Sequence, residues 1–419
     1  MRFIRPKGTR DFTADQVSER FQVLSVLRAT SACWGYNEIM TPAFEGLDLF
    51  LAKSGEEIRS HLYEFSDKGG RRICLRPEAT AQVARFYCQT LRSLPKPQRY
   101  VYFGPMYRYE EPQKNRYREF YQFGAELLGV KSPAADAEVL ALACDCLNSL
   151  GLEYELRVSN LAFIRGYLKS EGLDVKSQDK VIHLLDKDEF EGLWELISED
   201  KFKQILDCKS CEGDFEGKVG DAAKLCGVGC ELAGGFSETL SILRENEVDF
   251  TLDFSMARGL DYYTGLVFDV KVGGLGAQNQ VAGGGRYDKL IELFGGPSTP
   301  AIGFAFGFDR LVDALRLQGH EFMEPETDVV VVGMKGCASY GFSVAQLLRD
   351  ALDFVVEQEI SGRGVGKTLS HASDAGVKYA VILGQTEFDN RSVTVKDLGR
   401  GVQETVSLDG LVDWFFERI

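Results

Sequence analysis

Apolar residues recur at helical spacing from Val17 to Trp34 (Val17, Phe21, Leu24, Leu27), and Gly35 stops the run. Next, "YEFSDKGGRRICLRPE" predicts two strands around an Asp-Lys-Gly-Gly turn. Glu78 to Leu94 has helical spacing just after Pro77. Arg99 to Tyr109 and Arg118 to Leu127 alternate as two strands around a polar loop. Consecutive strands joined by hairpins imply an antiparallel sheet. From about 166 to 246 the pattern turns helical and charged, and strands resume at "VDFTLDFS" and "GLVFDVKVGG". Glycine-rich "VAGGGRYD" and a predicted helix from about Ala301 to Leu317 follow. Beyond the polar linker "LQGHEFMEPET", "DVVVVGM" and "KYAVILG" read as buried strands, with a helix between them over Ala338 to Glu357. "RSVTVKDL" alternates, and "DGLVDWFFERI" closes as a helix. That order predicts a small α/β domain with a mostly parallel sheet. The expected organisation is an α+β domain with an antiparallel sheet (1–165 and 247–322), a helical insertion (166–246) and a C-terminal α/β domain (326–419).

Composition narrows the function class. No stretch reaches the ~18 apolar residues of a membrane span, and the start "MRFIRPKGTRDF" has no apolar signal core. The expectation is a cytosolic chain whose ten cysteines serve as thiols or metal ligands. With 63 acidic and 48 basic residues the net charge is −15, which argues against a bulk nucleic-acid coat. Against that acidity, Arg108, Lys114, Arg116 and Arg118 crowd one hairpin. The four histidines lie away from the dense polar motifs, so acid–base catalysis by histidine is not expected.

Alternation puts Arg118, Phe120, Gln122, Gly124 and Glu126 on one strand face. A small polar ligand over Gly124 would meet an amide and a carboxylate; a solvated sheet face gives the same pattern. In "RPEAT", Glu78 and Thr80 sit at a strand-to-helix junction, either as ligands or as caps. "MARGLDYYTG" places Arg258 beside Tyr262 and Tyr263 in a tight turn, which suits an anion or carboxylate. Arg310 ends the small-residue run "GFAFGFDRL". Arg108, Arg258 and Arg310, from three segments, suit a polyphosphate. Neither "GRGVGKTL" nor "VAGGGRYD" has the spacing of a phosphate-binding glycine loop.

On these motifs the chain resembles the histidyl-tRNA synthetases, class II aminoacyl-tRNA synthetases. "KGTRDF" opens the likeness, and "GYNEIMTPAFE" resembles the dimer motif with Pro42. "YRYEEPQKNRYREFYQFGAELLG" and "GFAFGFDRL" resemble the second and third class motifs. "RGLDYYTGLVFD" with "GGGRYD" is the more specific signature, and the C-terminal part resembles an anticodon-binding domain. The resemblance implies a homodimer that joins L-histidine to tRNA(His) through a histidyl-adenylate, using ATP and Mg2+. It implies that Arg108, Arg116 and Arg310 bind ATP phosphates, and that Arg258 with Arg108 stabilises the reacting charge. Glu78, Thr80 and Gln122 would bind the α-ammonium group. Glu126 and Tyr263 would bind the imidazole and Tyr262 would line the pocket, with Gln113 and Arg118 at the tRNA acceptor end. Glu111, Asn115, Tyr121 and Ala79 depart from common family residues.

The alternative is a catalytically inactive paralogue regulating ATP phosphoribosyltransferase, the first enzyme of histidine biosynthesis. Such paralogues lack the anticodon unit and lose catalytic residues, whereas Arg108, Arg258, Arg310 and residues 326–419 are present here. Outside the resemblance, Cys208, Cys211, Cys226 and Cys230 form C-x2-C-x14-C-x3-C in the insertion. That spacing suits a structural zinc or an iron–sulfur cluster; four plain buried thiols are the alternative.

Overall fold

The computed structural model describes residues 3–54, 56–110, 117–187, 189–210, 214–257, 262–276, 279–324 and 326–418. The chain divides into two compact units, Met1–Phe322 and Met323–Ile419.

The larger unit is built on an eight-stranded sheet. Its spatial order is Asn37–Glu38, Gln98–Tyr107, Glu119–Leu128, Ala301–Gly307, Gln280–Arg286, Leu266–Lys271, Glu155–Asn160 and Thr251–Leu252. The interior pairings are antiparallel, as the hairpins imply, and only the short outermost strands pair in parallel. The hairpin Gln98–Tyr107 with Glu119–Leu128 is the longest ladder, pairing Gln98 with Leu128 through to Tyr107 with Glu119.

One sequence expectation changes here. Ala301–Gly307 is a strand, and the helix begins only at Phe308 (Phe308–Leu317). The glycine-rich segment is also a strand, Gln280–Arg286. Both lie in the middle of the sheet and are covered on both faces, so no polar alternation marks them as strands. Glycine is required by close approach. A Cβ on Gly303 would lie 1.7 Å from Glu126 Oε2 and 2.5 Å from the Ala125 carbonyl, and one on Gly284 would lie 2.3 Å from the Gly303 carbonyl.

Helix Ala14–Cys33 starts with a Thr13/Gln16 capping box, which satisfies backbone donors at its first turn. Helix Pro133–Ser149 begins after Ser132 with proline at its first turn, and nine of its residues are buried. The helices from Leu161–Ser170 to Cys230–Glu245 run between strands Glu155–Asn160 and Thr251–Leu252. They are not a detached body. Leu168, Val181, Phe202, Val219 and Leu240 belong to the same apolar core as the sheet, and Thr239 reaches the Pro133 carbonyl. A separate small sheet holds Phe44–Gly46, Arg72–Leu75 and Glu64–Ser66, including the two strands expected around the Asp-Lys-Gly-Gly turn.

The smaller unit carries a five-stranded sheet in the order Val356–Gln358, Val329–Gly333, Tyr379–Leu383, Ser392–Asp397, Gln403–Ser407. The first three strands are parallel and the last two antiparallel, so the sheet is mixed rather than mostly parallel. The expected long helix after Ala338 stops at Leu352. "GRGVGKTL" leads into helix Val365–Asp374, where the Glu359 carboxylate already accepts hydrogen bonds from Ser361 and Thr368.

Candidate active site

The central strands leave a cavity of about 770 Å³ in the larger unit. Arg108 and Arg310 both line it, as do Glu78, Thr80, Gln122, Tyr262 and Tyr263. These residues come from five separated stretches of sequence; Gln122 lies on a central strand, and the others sit on helices and connections next to the sheet strands. Arg116, Gln113 and Arg258 lie outside the described residues.

Both arginines donate to the backbone. Arg108 Nε donates to the Pro77 carbonyl at 3.0 Å, and its guanidinium lies 5.2 Å from the Phe120 ring centroid. Arg310 Nη1 donates to the Gln280 carbonyl at 3.1 Å. Such anchoring aims a planar guanidinium whose geometry suits an anion. Arg118 is placed differently. It is not among the cavity-lining residues; its Nε donates to the Glu110 carbonyl at 2.9 Å and its charge lies 4.1 Å from the Tyr109 ring.

Glu78 combines both readings open from sequence. Its carboxylate accepts from the backbone N–H of Thr80 at 2.6 Å and of Ala81 at 3.1 Å, so it caps helix Thr80–Gln89, and it also faces the cavity. Among the described residues, the buried side-chain oxygen of Gln122 has no hydrogen-bond partner. Buried acceptors are ordinarily satisfied, so an N–H or ammonium donor on a ligand suits this position.

Glu126 is 1% exposed and is held by residues that line the cavity. The Thr80 hydroxyl donates to its Oε1 at 2.8 Å, and the Tyr287 hydroxyl donates to its Oε2. Its carboxylate covers Gly303, which lines the cavity. The room over Gly124 is not ligand space, contrary to the reading from strand alternation. A Cβ there would meet the Tyr102 hydroxyl at 2.3 Å, because Tyr102 is its cross-strand partner and leans over it.

Sequence reasoning missed Tyr102 and Tyr287, both in the cavity wall. Tyr262 sits edge-on to Tyr287, 6.0 Å between centroids, and 4.7 Å from Tyr263. Burial raises the phenols of Tyr102, Tyr262 and Tyr287 well above their ordinary range, and the charge of Glu126 acts the same way. All three therefore stay neutral hydroxyls. Tyr287 stands inside the "GGGRYD" motif, so the motif was the available signal; for Tyr102 only its position opposite Gly124 was.

Asp309 was also missed. It accepts from Arg10 and Arg20, each at 2.6 Å, and from the Tyr121 backbone N–H at 2.8 Å. The "KGTRDF" arginine thereby fastens the start of the Arg310 helix to the basic hairpin. Tyr121, one of the departures from the family pattern, lines the cavity and stacks on Phe103 at 5.6 Å.

The cysteine motif does not assemble as a metal site among the described residues, where no group of three or more His, Cys, Asp or Glu could hold an ion. Cys208 and Cys226 are buried, and Cys230 is exposed on the first residue of its helix. Cys211 lies outside the described residues. Cys208 Sγ donates to the Gln204 carbonyl at 3.3 Å, and burial pushes the Cys226 thiol up to about 12. The zinc expectation thus gains no support, and plain buried thiols account for these two positions.

A histidyl-tRNA synthetase family model matches residues 8–311, and an anticodon-binding-domain model matches residues 328–418. The chain is 43% identical to a histidine–tRNA ligase of Archaeoglobus fulgidus over 98% of its own length and 99% of that protein. It is 42% identical to a histidine–tRNA ligase of Methanosarcina acetivorans, with 98% and 97% covered. Among solved structures, apo histidyl-tRNA synthetase of S. aureus matches with a TM-score of 0.77 at 30% identity, over 99% of this chain and all of that one. An ATP phosphoribosyltransferase regulatory subunit/histidyl-tRNA synthetase of Bacillus halodurans also matches, at TM-score 0.77 over 91% of this chain and 98% of that one. At 22% identity that likeness concerns the fold alone.

Proposed function

The chain belongs to the histidyl-tRNA synthetase family and ligates histidine to tRNA, and from that premise we propose how its cavity performs the reaction. ATP, entering as its magnesium complex, lies with its phosphates toward Arg108 and Arg310, joined by Arg116 and Arg258 by resemblance. The magnesium would offset phosphate charge; the cavity-lining carboxylates of Asp269 and Asp309 already hold arginines. Histidine lies with its ammonium group toward Gln122 and Glu78 and its imidazole toward Glu126, Tyr263 and Tyr287.

A carboxylate oxygen of histidine attacks the α-phosphorus, the bond to the β-phosphate oxygen breaks, and pyrophosphate leaves. A ribose hydroxyl of the tRNA terminus then attacks the carbonyl of the adenylate. Its proton is lost, AMP departs and histidyl-tRNA forms. No histidine is among the described cavity-lining residues. None is needed, because phosphoryl transfer of this kind is mostly positioning and charge stabilisation. Arg118 and Gln113 would meet the acceptor end. Residues 326–419 would serve as the anticodon domain. The cytosol is the compartment for such work; no helix among the described residues is long and apolar enough to cross a membrane.

The observation that carries this reading is the meeting of Arg108 and Arg310 with Gln122 and Tyr287 around one cavity, with Tyr287 holding the buried Glu126. Its test is ATP–pyrophosphate exchange with each of the twenty amino acids in turn. Exchange with histidine alone is the expected result. No exchange from folded protein would favour the regulatory paralogue, and exchange with another amino acid would reject the imidazole pocket.

The chain works as a homodimer in this reading. In the small sheet, Phe44 pairs with Leu75 and Phe65 with Ile73, so all four share one apolar face. Phe44 is 54% and Phe65 45% exposed, and Met40 nearby in sequence is 84% exposed. Such a patch marks an association surface. Phe44→Glu should therefore shift the sedimenting species from dimer toward monomer; an unchanged dimer would place the interface elsewhere.

A further inference from the structure

The helical insertion touches the candidate active site in two places. Leu185 and Asp186, at the end of helix Val175–Asp186, line the cavity. The second contact follows helix Glu199–Leu206. Ser210 exchanges two backbone hydrogen bonds with Leu252, at 3.1 and 2.8 Å, and so extends the edge of the catalytic sheet. Beside it, Lys209 Nζ lies 3.2 Å from Asp253 Oδ1 and donates to the Ser255 hydroxyl at 3.0 Å.

Asp253 is a demanding partner. Its side chain is 7% exposed, and Oδ1 also accepts from the Ser255 N–H at 2.9 Å and from the Ser255 hydroxyl. Its other oxygen lies 3.4 Å from Arg157 Nη1, but that guanidinium is committed to Asp269 through two bonds of 2.9 and 2.6 Å. Two buried carboxylates thus share one arginine, and Lys209 is the second cation. A buried charge left without its partner is costly, so removing Lys209 forces Asp253 and Ser255 to rearrange. Ser255, Met256 and Ala257 line the cavity and lead directly into Arg258.

We propose that Lys209, on the insertion, is a positioning residue for the adenylation step: through Asp253 and Ser255 it holds the cavity-lining segment Ser255–Ala257. This rests on the reading of the cavity as the adenylation site. Lys209 touches no substrate, and its own side chain is 47% exposed, so Lys209→Met should leave the fold intact.

The test compares the full-length wild type with Lys209→Met and Lys209→Arg in histidine-dependent ATP–pyrophosphate exchange, alongside amide hydrogen exchange. Small misplacements of catalytic groups cost up to ~10²-fold, so kcat of Lys209→Met should fall about tenfold or more. KM for ATP and for histidine should each stay within about threefold, and Lys209→Arg should recover most of the rate. Amides of Ser255 and Met256 should exchange faster in Lys209→Met while those of Ala301–Gly307 are unchanged. A kcat within about twofold of wild type would overturn the proposal, as would Lys209→Arg no better than Lys209→Met. Protection lost evenly across the sheet would also overturn it, leaving Lys209 a general stabiliser. If the wild type shows no histidine-dependent exchange, the reading of the cavity fails and the proposal with it; the amide data then report only whether the tether exists.

Discussion

Glu126→Gln should raise the histidine requirement by about 10²-fold or more while the ATP requirement stays within about threefold. The substitution keeps the size of the side chain and removes its charge. Glu126 is 1% exposed and already accepts from Thr80 and Tyr287. An amide in its place presents N–H groups where two hydroxyls donate, so one buried donor loses its acceptor. The side chain toward the imidazole then changes from acceptor to part donor. ATP phosphates lie toward Arg108 and Arg310 and do not meet Glu126 in the proposed pose. Steady-state exchange with each substrate varied separately reads the result. An equal rise in both requirements would remove Glu126 from the amino-acid pocket.

Arg108→Ala should lower kcat for adenylate formation by about 10²–10³-fold, the usual cost of losing one preorganised donor to a developing charge. The guanidinium is anchored at one nitrogen by the Pro77 carbonyl and packed near Phe120. Its position is therefore set before ATP arrives, and no ordering is required at the moment of reaction. Histidine KM should change little, because Arg108 faces the phosphate end. Arg108→Lys should fall between, since it keeps a charge but loses the planar fork. Single-turnover adenylate formation decides it, and near-normal turnover in Arg108→Ala would reassign the α-phosphate to another cation.

Local rules served where helical period or a polar turn marks an element. Helix Ala14–Cys33 and the hairpin Gln98–Tyr107/Glu119–Leu128 lie within a few residues of their expected ranges, because period and turn chemistry are written into neighbouring residues. They failed where an element is buried all round or polar all round. Ala301–Gly307 looked helical because both of its faces are covered. Gln403–Ser407 went unread because an exposed edge strand carries no apolar stripe. Helix Val365–Asp374 was hidden by the phosphate-loop likeness of "GRGVGKTL".

By itself the sequence determined the antiparallel class of the larger unit and the separateness of the C-terminal unit, and it singled out Arg108, Arg310, Glu78, Thr80, Gln122, Tyr262 and Tyr263, which meet at one cavity. It could do so because hairpin turns, periodicity and motif spacing are properties of adjacent residues. Tertiary structure alone decided that Tyr102 fills the space over Gly124, that Tyr287 and Thr80 hold Glu126, and that Arg10 and Arg20 share Asp309. It alone joined Lys209 of the insertion to Asp253. Most of these contacts link residues far apart in the chain, and all of them depend on which strands become neighbours and in which register. Register follows from burying the whole sheet at once, so no local stretch of sequence encodes it.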